Sequence, residues 1–140
     1  MRLEKDFFRN LDLGLLFVRL SIGGLMLFHG IHKLLYGVGF IGDMLTGIGM
    51  PSFIAYGALM AELIAAVMIV AGLWTRVASV IMVGNMIVAI AMAHAGDIFS
   101  VDAMTGGWTI ELPMLYLLGA VALCFTGGGR YAITKGSIFD

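Results

Sequence analysis

The stretch that decides the fold is Pro51–Trp74, PSFIAYGALMAELIAAVMIVAGLW, in which Glu62 is the single formal charge. At 1.5 Å rise per residue, about twenty apolar residues cross a hydrocarbon core of roughly 30 Å, so this segment reads as a transmembrane helix. A carboxylate near the middle of such a helix costs roughly 2.5–3.5 kcal/mol even on lenient insertion scales. It is therefore expected to face the bundle interior and to have a partner. On a helical projection Ala55, Ala58, Ala65, Ala66 and Ile69 share its face. That run of small residues lets another helix approach closely.

The rest of the chain agrees with a lipid environment. Of its 140 residues 61% are hydrophobic and 12% charged, against about 25% charge in a soluble domain; the mean hydropathy is +1.03. The length fits one domain, residues 1–140. A net charge of −1 gives no electrostatic basis for binding nucleic acid. Cys124 is the sole cysteine, which excludes an internal disulfide and dithiol exchange within the chain.

Residues 1–12, with Leu3, Phe7 and Leu11 at helical spacing among six charges, predict an amphipathic lead-in on the membrane surface. No small-residue cleavage site follows, so a cleaved signal peptide is not expected. Spans are predicted at about 13–35, 52–73, 77–93 and 108–126. Between the first two, Gly37, Gly39, Gly42, Gly47 and Gly49 predict an irregular, re-entrant loop. Residues 127–140 form a polar tail. The expected fold is all-α: an integral-membrane four-helix bundle. Arg2, Lys5, Arg9, Arg76, Arg130 and Lys135 fall on one side of it and Lys33 alone on the other, so the positive-inside rule puts both termini in the cytoplasm. Arg76 and Arg130 read as anchors for phospholipid headgroups.

In the first span Arg19, Gly23, Met26, Gly30 and Lys33 share a stripe, with His29 one turn before Lys33. His29, Lys33, His94 and Glu111 are placed toward the outer ends of their helices. Glu62 lies deeper, about 16 Å from Pro51, and Arg19 about 9 Å in from the opposite face. Arg19 or His29 can thus reach Glu62, and the sequence does not choose. Asn85 and His94, nine residues apart, are half a turn out of phase and are not expected to face one site on a straight helix. Trp74, Trp108, Tyr36 and Tyr116 read as an interfacial aromatic belt.

Three roles are open to these polar groups. Arg19, Glu62 and Asn85 can form a structural ion-pair network. Alternatively His29, His94, Glu62 and Glu111 can line a pocket for a quinone headgroup, supplying hydrogen bonds and protons near neutral pH. The same four residues can also be tested as metal ligands, but the chain has no Glu-x-x-His repeat of the kind bundle metal sites use. No metal is expected. Nucleotide loops, nucleophile elbows and haem-attachment motifs are absent from the sequence.

Phe28-His29-Gly30-Ile31-His32-Lys33-Leu34, Ala61-Glu62-Leu63 and Gly72-Leu73-Trp74-Thr75-Arg76 resemble the motifs of the DoxX family of small integral membrane proteins. His94 followed by Phe99, Gly106-Gly107 and Glu111, then Gly127 through Gly129-Arg130-Tyr131, continues the resemblance over nearly the whole chain. The family's tail often reads Gly-Arg-Tyr-Ser-Leu-Asp; here Ala132, Ile133 and Thr134 follow Tyr131. The resemblance implies four membrane helices and a link to quinone or sulfur chemistry, since the namesake is similar to the small subunit of a thiosulfate:quinone oxidoreductase. Other relatives are linked to oxidant and thiol stress alongside partner enzymes.

The expectation that follows is a multi-pass protein of a bacterial or archaeal cytoplasmic (inner) membrane, supporting quinone-linked redox chemistry with a protein partner or as a homo-oligomer. Glu62 and His29 would relay protons as the catalytic pair. Lys33, His94 and Glu111 would shape the cofactor-binding mouth, and Arg19 would hold the Glu62 charge or anchor a headgroup. A second class of function is a non-catalytic scaffold recruiting a soluble redox enzyme. Transport of a small acid or ion is a third.

Overall fold

A computed structural model describes residues 8–140. Five helices follow one another: α1 (Leu11–Tyr36), α2 (Gly39–Gly47), α3 (Ile54–Ala71), α4 (Thr75–Ala93) and α5 (Glu111–Thr126). No strand pairs with another among the described residues, and one isolated bridge joins Val101 to Trp108. Helices α1, α3 and α4 are long and apolar enough to cross a membrane, and α5 is a shorter apolar helix.

The helix ends follow local chemistry. Asn10 caps α1 by accepting the Leu13 N–H at 3.0 Å. Residues 1–7 of the expected lead-in lie outside the described residues, and Leu11 and Asp12 already belong to α1. After Arg19 the helix widens into a π segment, Leu20–Gly24, before continuing to Tyr36. Gly72 ends α3 in the left-handed conformation, φ +76°. Pro113 sits in the first turn of α5, where the missing N–H leaves no bond unmade.

Close packing organises the bundle. Between lipid-solvated helices association comes from contact and hydrogen bonds rather than from water release. Gly23 and Gly30 bring α1 against α3: a Cβ on Gly23 would lie 2.7 Å from the Ala66 carbonyl oxygen. The alanines predicted to face inward do so, Ala55, Ala65 and Ala66 all being buried. They join Ile22, Met26, Met82, Met86, Ala120 and Leu123 in the core. The outward faces carry Leu25, Phe28, Ile64, Val67, Val80 and Leu118, all exposed and apolar, as a lipid-facing surface requires.

Two segments differ from the sequence expectation. The glycine-rich stretch expected to be irregular contains α2. Its glycines obscure an apolar spacing, Val38, Ile41 and Leu45, that buries one face against Ala55 and Leu59. The fourth helix begins at Glu111 rather than Trp108. Trp108 stays in the preceding loop, its indole N–H donating to the Ile98 carbonyl at 2.6 Å.

The polar tail folds back over the α3–α4 link. Ile133 N–H donates to Ala71 O (3.3 Å), Thr134 N–H to Gly72 O (3.1 Å) and Arg76 N–H to Phe139 O (3.0 Å). Trp74 is the one non-glycine described with positive φ, +41°, a conformation costing about 1–2 kcal/mol. Two contacts offset that cost: its N–H donates to Thr134 Oγ1 at 2.8 Å, and its ring lies 5.9 Å from that of Phe139. Ala132, one of the residues that departs from the family tail, is buried between Gly72 and Gly128.

Gly72→Ala should therefore lower the melting temperature of the detergent-solubilised protein. The substitution combines a left-handed backbone, costing roughly 1–2 kcal/mol, with a Cβ only 2.6 Å from the Ala132 Cα. Gly14→Ala, where a Cβ meets nothing within 4 Å, should leave the melting temperature unchanged or raise it.

Candidate functional site

Three helices bring one polar group each to the middle of the bundle. Glu62 on α3 is 2% exposed. Lys33, three residues before the end of α1, donates from Nζ to Glu62 Oε2 at 2.6 Å, and Asn85 on α4 donates from Nδ2 to the same oxygen at 3.3 Å. The other carboxylate oxygen, Oε1, is buried with no hydrogen-bond partner. Gly30 lies beside it and lets α1 pack closely on α3, since a Cβ there would stand 3.7 Å from Oε1 and 2.5 Å from the Leu63 Cδ2. One oxygen of the carboxylate is thus saturated and the other is free to accept.

Glu62 lines a cavity of about 300 Å³ to which all five helices contribute. Met26, His29 and Lys33 come from α1, Phe40, Ile41 and Met44 from α2, and Ala58, Leu59 and Glu62 from α3. Asn85, Met86, Ala89 and Met92 come from α4, with His94 just past its end, and Leu112, Pro113 and Tyr116 from α5. Most of the wall is apolar, with a few convergent polar groups, the composition expected of a small-molecule site. The His29 and Tyr116 rings meet edge to face at 6.0 Å. His94 lies 3.9 Å from Asp97 through Nδ1, too far for a hydrogen bond, and Nδ1 is buried without a partner.

Glu62, His29, Lys33 and His94 line one cavity. Glu111 does not join them: its carboxylate rests against Gly107, and the residue is exposed at the start of α5. Arg19 is also elsewhere, fourteen residues from Lys33, or about 21 Å along the helix. Its guanidinium donates to Ile69 O (2.9 Å), Val70 O (2.7 Å) and Gly128 O (3.3 Å). A cation there satisfies the last carbonyls of α3 and complements the helix dipole. Neither of the two expected partners, Arg19 or His29, holds Glu62; Lys33 does.

Asn85 and His94 face the same cavity, contrary to the half-turn argument. That argument assumes a straight helix, and His94 has left it: it is the C-cap of α4, with φ −130° and ψ 15°. Tyr116, expected in an interfacial belt, is buried against His29. The spacing Tyr116, Ala120, Leu123 already marks it as inward-facing. Among the described residues, no three His, Cys, Asp or Glu side chains gather as a metal set would.

Comparison with known proteins places these features in context. The profile of the family described as DoxX matches residues 14–95, which include Arg19, Lys33, Glu62, Asn85 and His94. A protein of Bacillus subtilis (strain 168) named "Putative oxidoreductase CatD" is 31% identical over 125 residues, covering 89% of this chain and 87% of its own length. No solved structure matches the chain.

Lys33→Met should strand the Glu62 carboxylate in the bundle interior and destabilise the fold by about 3–5 kcal/mol, as loss of one partner of a buried pair does. Lys33→Met combined with Glu62→Gln should recover most of that loss in detergent unfolding. Equal stability of the single and double variants would show that the pair contributes nothing. Asn85→Ala should cost only about 1 kcal/mol.

Proposed function

The chain belongs to the DoxX family, and from that premise we propose that it is a four-span protein of a bacterial or archaeal cytoplasmic membrane whose cavity binds a quinone headgroup as part of a quinone-linked redox system. The observation that carries this reading is the pairing, on an apolar cavity, of a donor and an acceptor: Lys33, which can donate to a quinone carbonyl, beside Glu62, whose unpartnered Oε1 can accept the hydroxyl of the reduced quinol. The 31%-identical protein whose name describes an oxidoreductase supports the redox class.

The topology supports the same reading. Arg130 N–H donates to Asp12 Oδ1 at 3.0 Å, so the start of α1 and the segment after α5 meet at one end of the bundle. An even number of passes brings them there, and the Lys and Arg distribution makes that end cytoplasmic. The Glu62 cavity then opens toward the outer leaflet, where a lipid-soluble ring can enter from the bilayer.

Quinone reduction takes up two electrons and two protons to give the quinol. A reduced flavin or sulfur compound on a partner protein is the electron source, and this chain supplies the binding site and the proton path. Lys33 and Asn85 hold Oε2, which leaves Oε1 to take up and release a proton at the cavity wall. His29, against Tyr116, is the cavity group placed to pass protons between that wall and the outside. His94 lines the mouth with an unpartnered Nδ1. Glu111 and Arg19 take no part in the cavity: one lies at the start of α5 and the other holds the end of α3.

A second reading, a scaffold that recruits a soluble redox enzyme without itself binding quinone, draws on Phe99 and Met104. These are 99% and 96% exposed on the loop between α4 and α5. The two readings separate in one experiment. Purified protein is assayed for co-purifying quinone by mass spectrometry and titrated with a short-chain benzoquinol, whose hydroxyls can donate to Glu62, alongside folded Glu62→Gln and His29→Ala. Each variant should weaken binding about tenfold, the value of one hydrogen bond of roughly 1.4 kcal/mol. Wild-type protein that carries no quinone and binds no added quinol would leave the scaffold as the better account.

A further inference from the structure

At the end of the bundle where α3 and α5 exit, the folded-back tail borders a second, open cavity of about 440 Å³. Three cations line it: Arg76 in the first turn of α4, and Arg130 and Lys135 on the tail. None pairs with a carboxylate, for among the described residues the ion pairs are Lys33–Glu62 and His94–Asp97. The Arg76 Nε is buried with no partner, and its Nη2 reaches only the Phe125 carbonyl at 3.3 Å. Lys135 Nζ donates to the Arg130 carbonyl at 3.0 Å, leaving its other protons free.

Two carboxylates share the cavity, and each already has a backbone partner. Asp12 Oδ1 accepts the Arg130 N–H, and Asp140 Oδ2 accepts the Ser137 N–H at 2.8 Å. The Thr134 hydroxyl, foremost, then the Ser137 amide and hydroxyl and the nearby Arg76 charge hold the Asp140 carboxyl below the usual carboxylate range. Its second oxygen, Oδ1, is buried and unpartnered. The cavity therefore gathers a guanidinium and a carboxylate that each keep one atom without a hydrogen-bond partner. A simple anion satisfies only the first. A phosphate carrying a hydroxyl or ammonium group close by satisfies both.

We propose that this cavity binds a phosphate headgroup bearing a neighbouring hydrogen-bond donor, such as phosphoglycerol or phosphoethanolamine. Arg76, Arg130 and Lys135 take the phosphate, and Asp140 takes the hydroxyl or ammonium. The surroundings favour a phospholipid as its source. Trp74, Tyr131, Ile133 and Ile138 are exposed around this end of the bundle, an aromatic and apolar rim of the kind that sits at the headgroup level. Phosphatidylcholine has the phosphate but no donor and is the natural control. This inference is independent of the quinone reading and concerns the other end of the molecule.

The test uses the full chain in detergent, with thermal unfolding and native mass spectrometry against phosphatidylglycerol, phosphatidylcholine and free glycerol phosphate. Phosphatidylglycerol should raise the melting temperature and stay bound, while phosphatidylcholine at equal concentration should not. Arg130→Gln/Lys135→Gln, which spares the Arg76 contact to α5, should weaken phosphatidylglycerol binding at least tenfold with little change in the lipid-free melting temperature. Asp140→Asn should narrow the preference for phosphatidylglycerol over phosphatidylcholine. Protection by free glycerol phosphate as strong as by the lipid would assign the headgroup to a soluble source. Equal response to the two lipids, or a double variant that binds as the wild type does, would overturn the proposal.

Discussion

The constraint on which the structure depends is the cost of holding one carboxylate inside an apolar bundle. Glu62 cannot reach water from the middle of α3, so the neighbouring helices supply its partners: Lys33 from α1 and Asn85 from α4. Each donor must arrive at a fixed height and rotation. That requirement ties the register of three helices together, which apolar packing between lipid-solvated helices does weakly on its own. Gly23 and Gly30 then follow as necessities, because α1 must lie close enough to α3 for the lysine to reach.

The other buried cation solves a different problem. Arg19 is 1% exposed and, among the described residues, has no carboxylate partner; backbone carbonyls hold its charge instead. Those carbonyls are the ones α3 cannot satisfy within itself. Joined to Gly128 through Nη1, Arg19 also fixes the exit of α5 against the exit of α3. The bundle is thus clamped at two heights, one by an ion pair and the other by a guanidinium on main-chain oxygen. The tail adds a third layer by bonding across the α3–α4 link, where Trp74 adopts its left-handed turn.

Much of this was legible in the sequence. A lone charge in twenty-four residues had to be buried, and the alanines around it had to face inward; both hold. What was hidden has physical causes. The partner of Glu62 was misjudged because depth was reckoned from helix ends, whereas a lysine's four-carbon stem covers several ångströms of error in height. Arg19 was matched to a side-chain anion because main-chain acceptors leave no mark in a sequence. Helix α2 was masked by glycines, whose low propensity is overridden once Val38 and Leu45 find an apolar neighbour. The shared site of Asn85 and His94 needed knowledge of where α4 stops.

The cavity wall has a consequence for selectivity. Four of its residues, Met26, Met44, Met86 and Met92, are methionines, from three different helices. An unbranched thioether re-forms around an incoming shape at little rotamer cost. Such a wall adapts to its guest, whereas Glu62, Lys33 and Asn85 are fixed by one another and accept one pattern of donors and acceptors. Discrimination therefore resides in the polar end, and the methionine end sets tolerance for the shape of what fills the cavity.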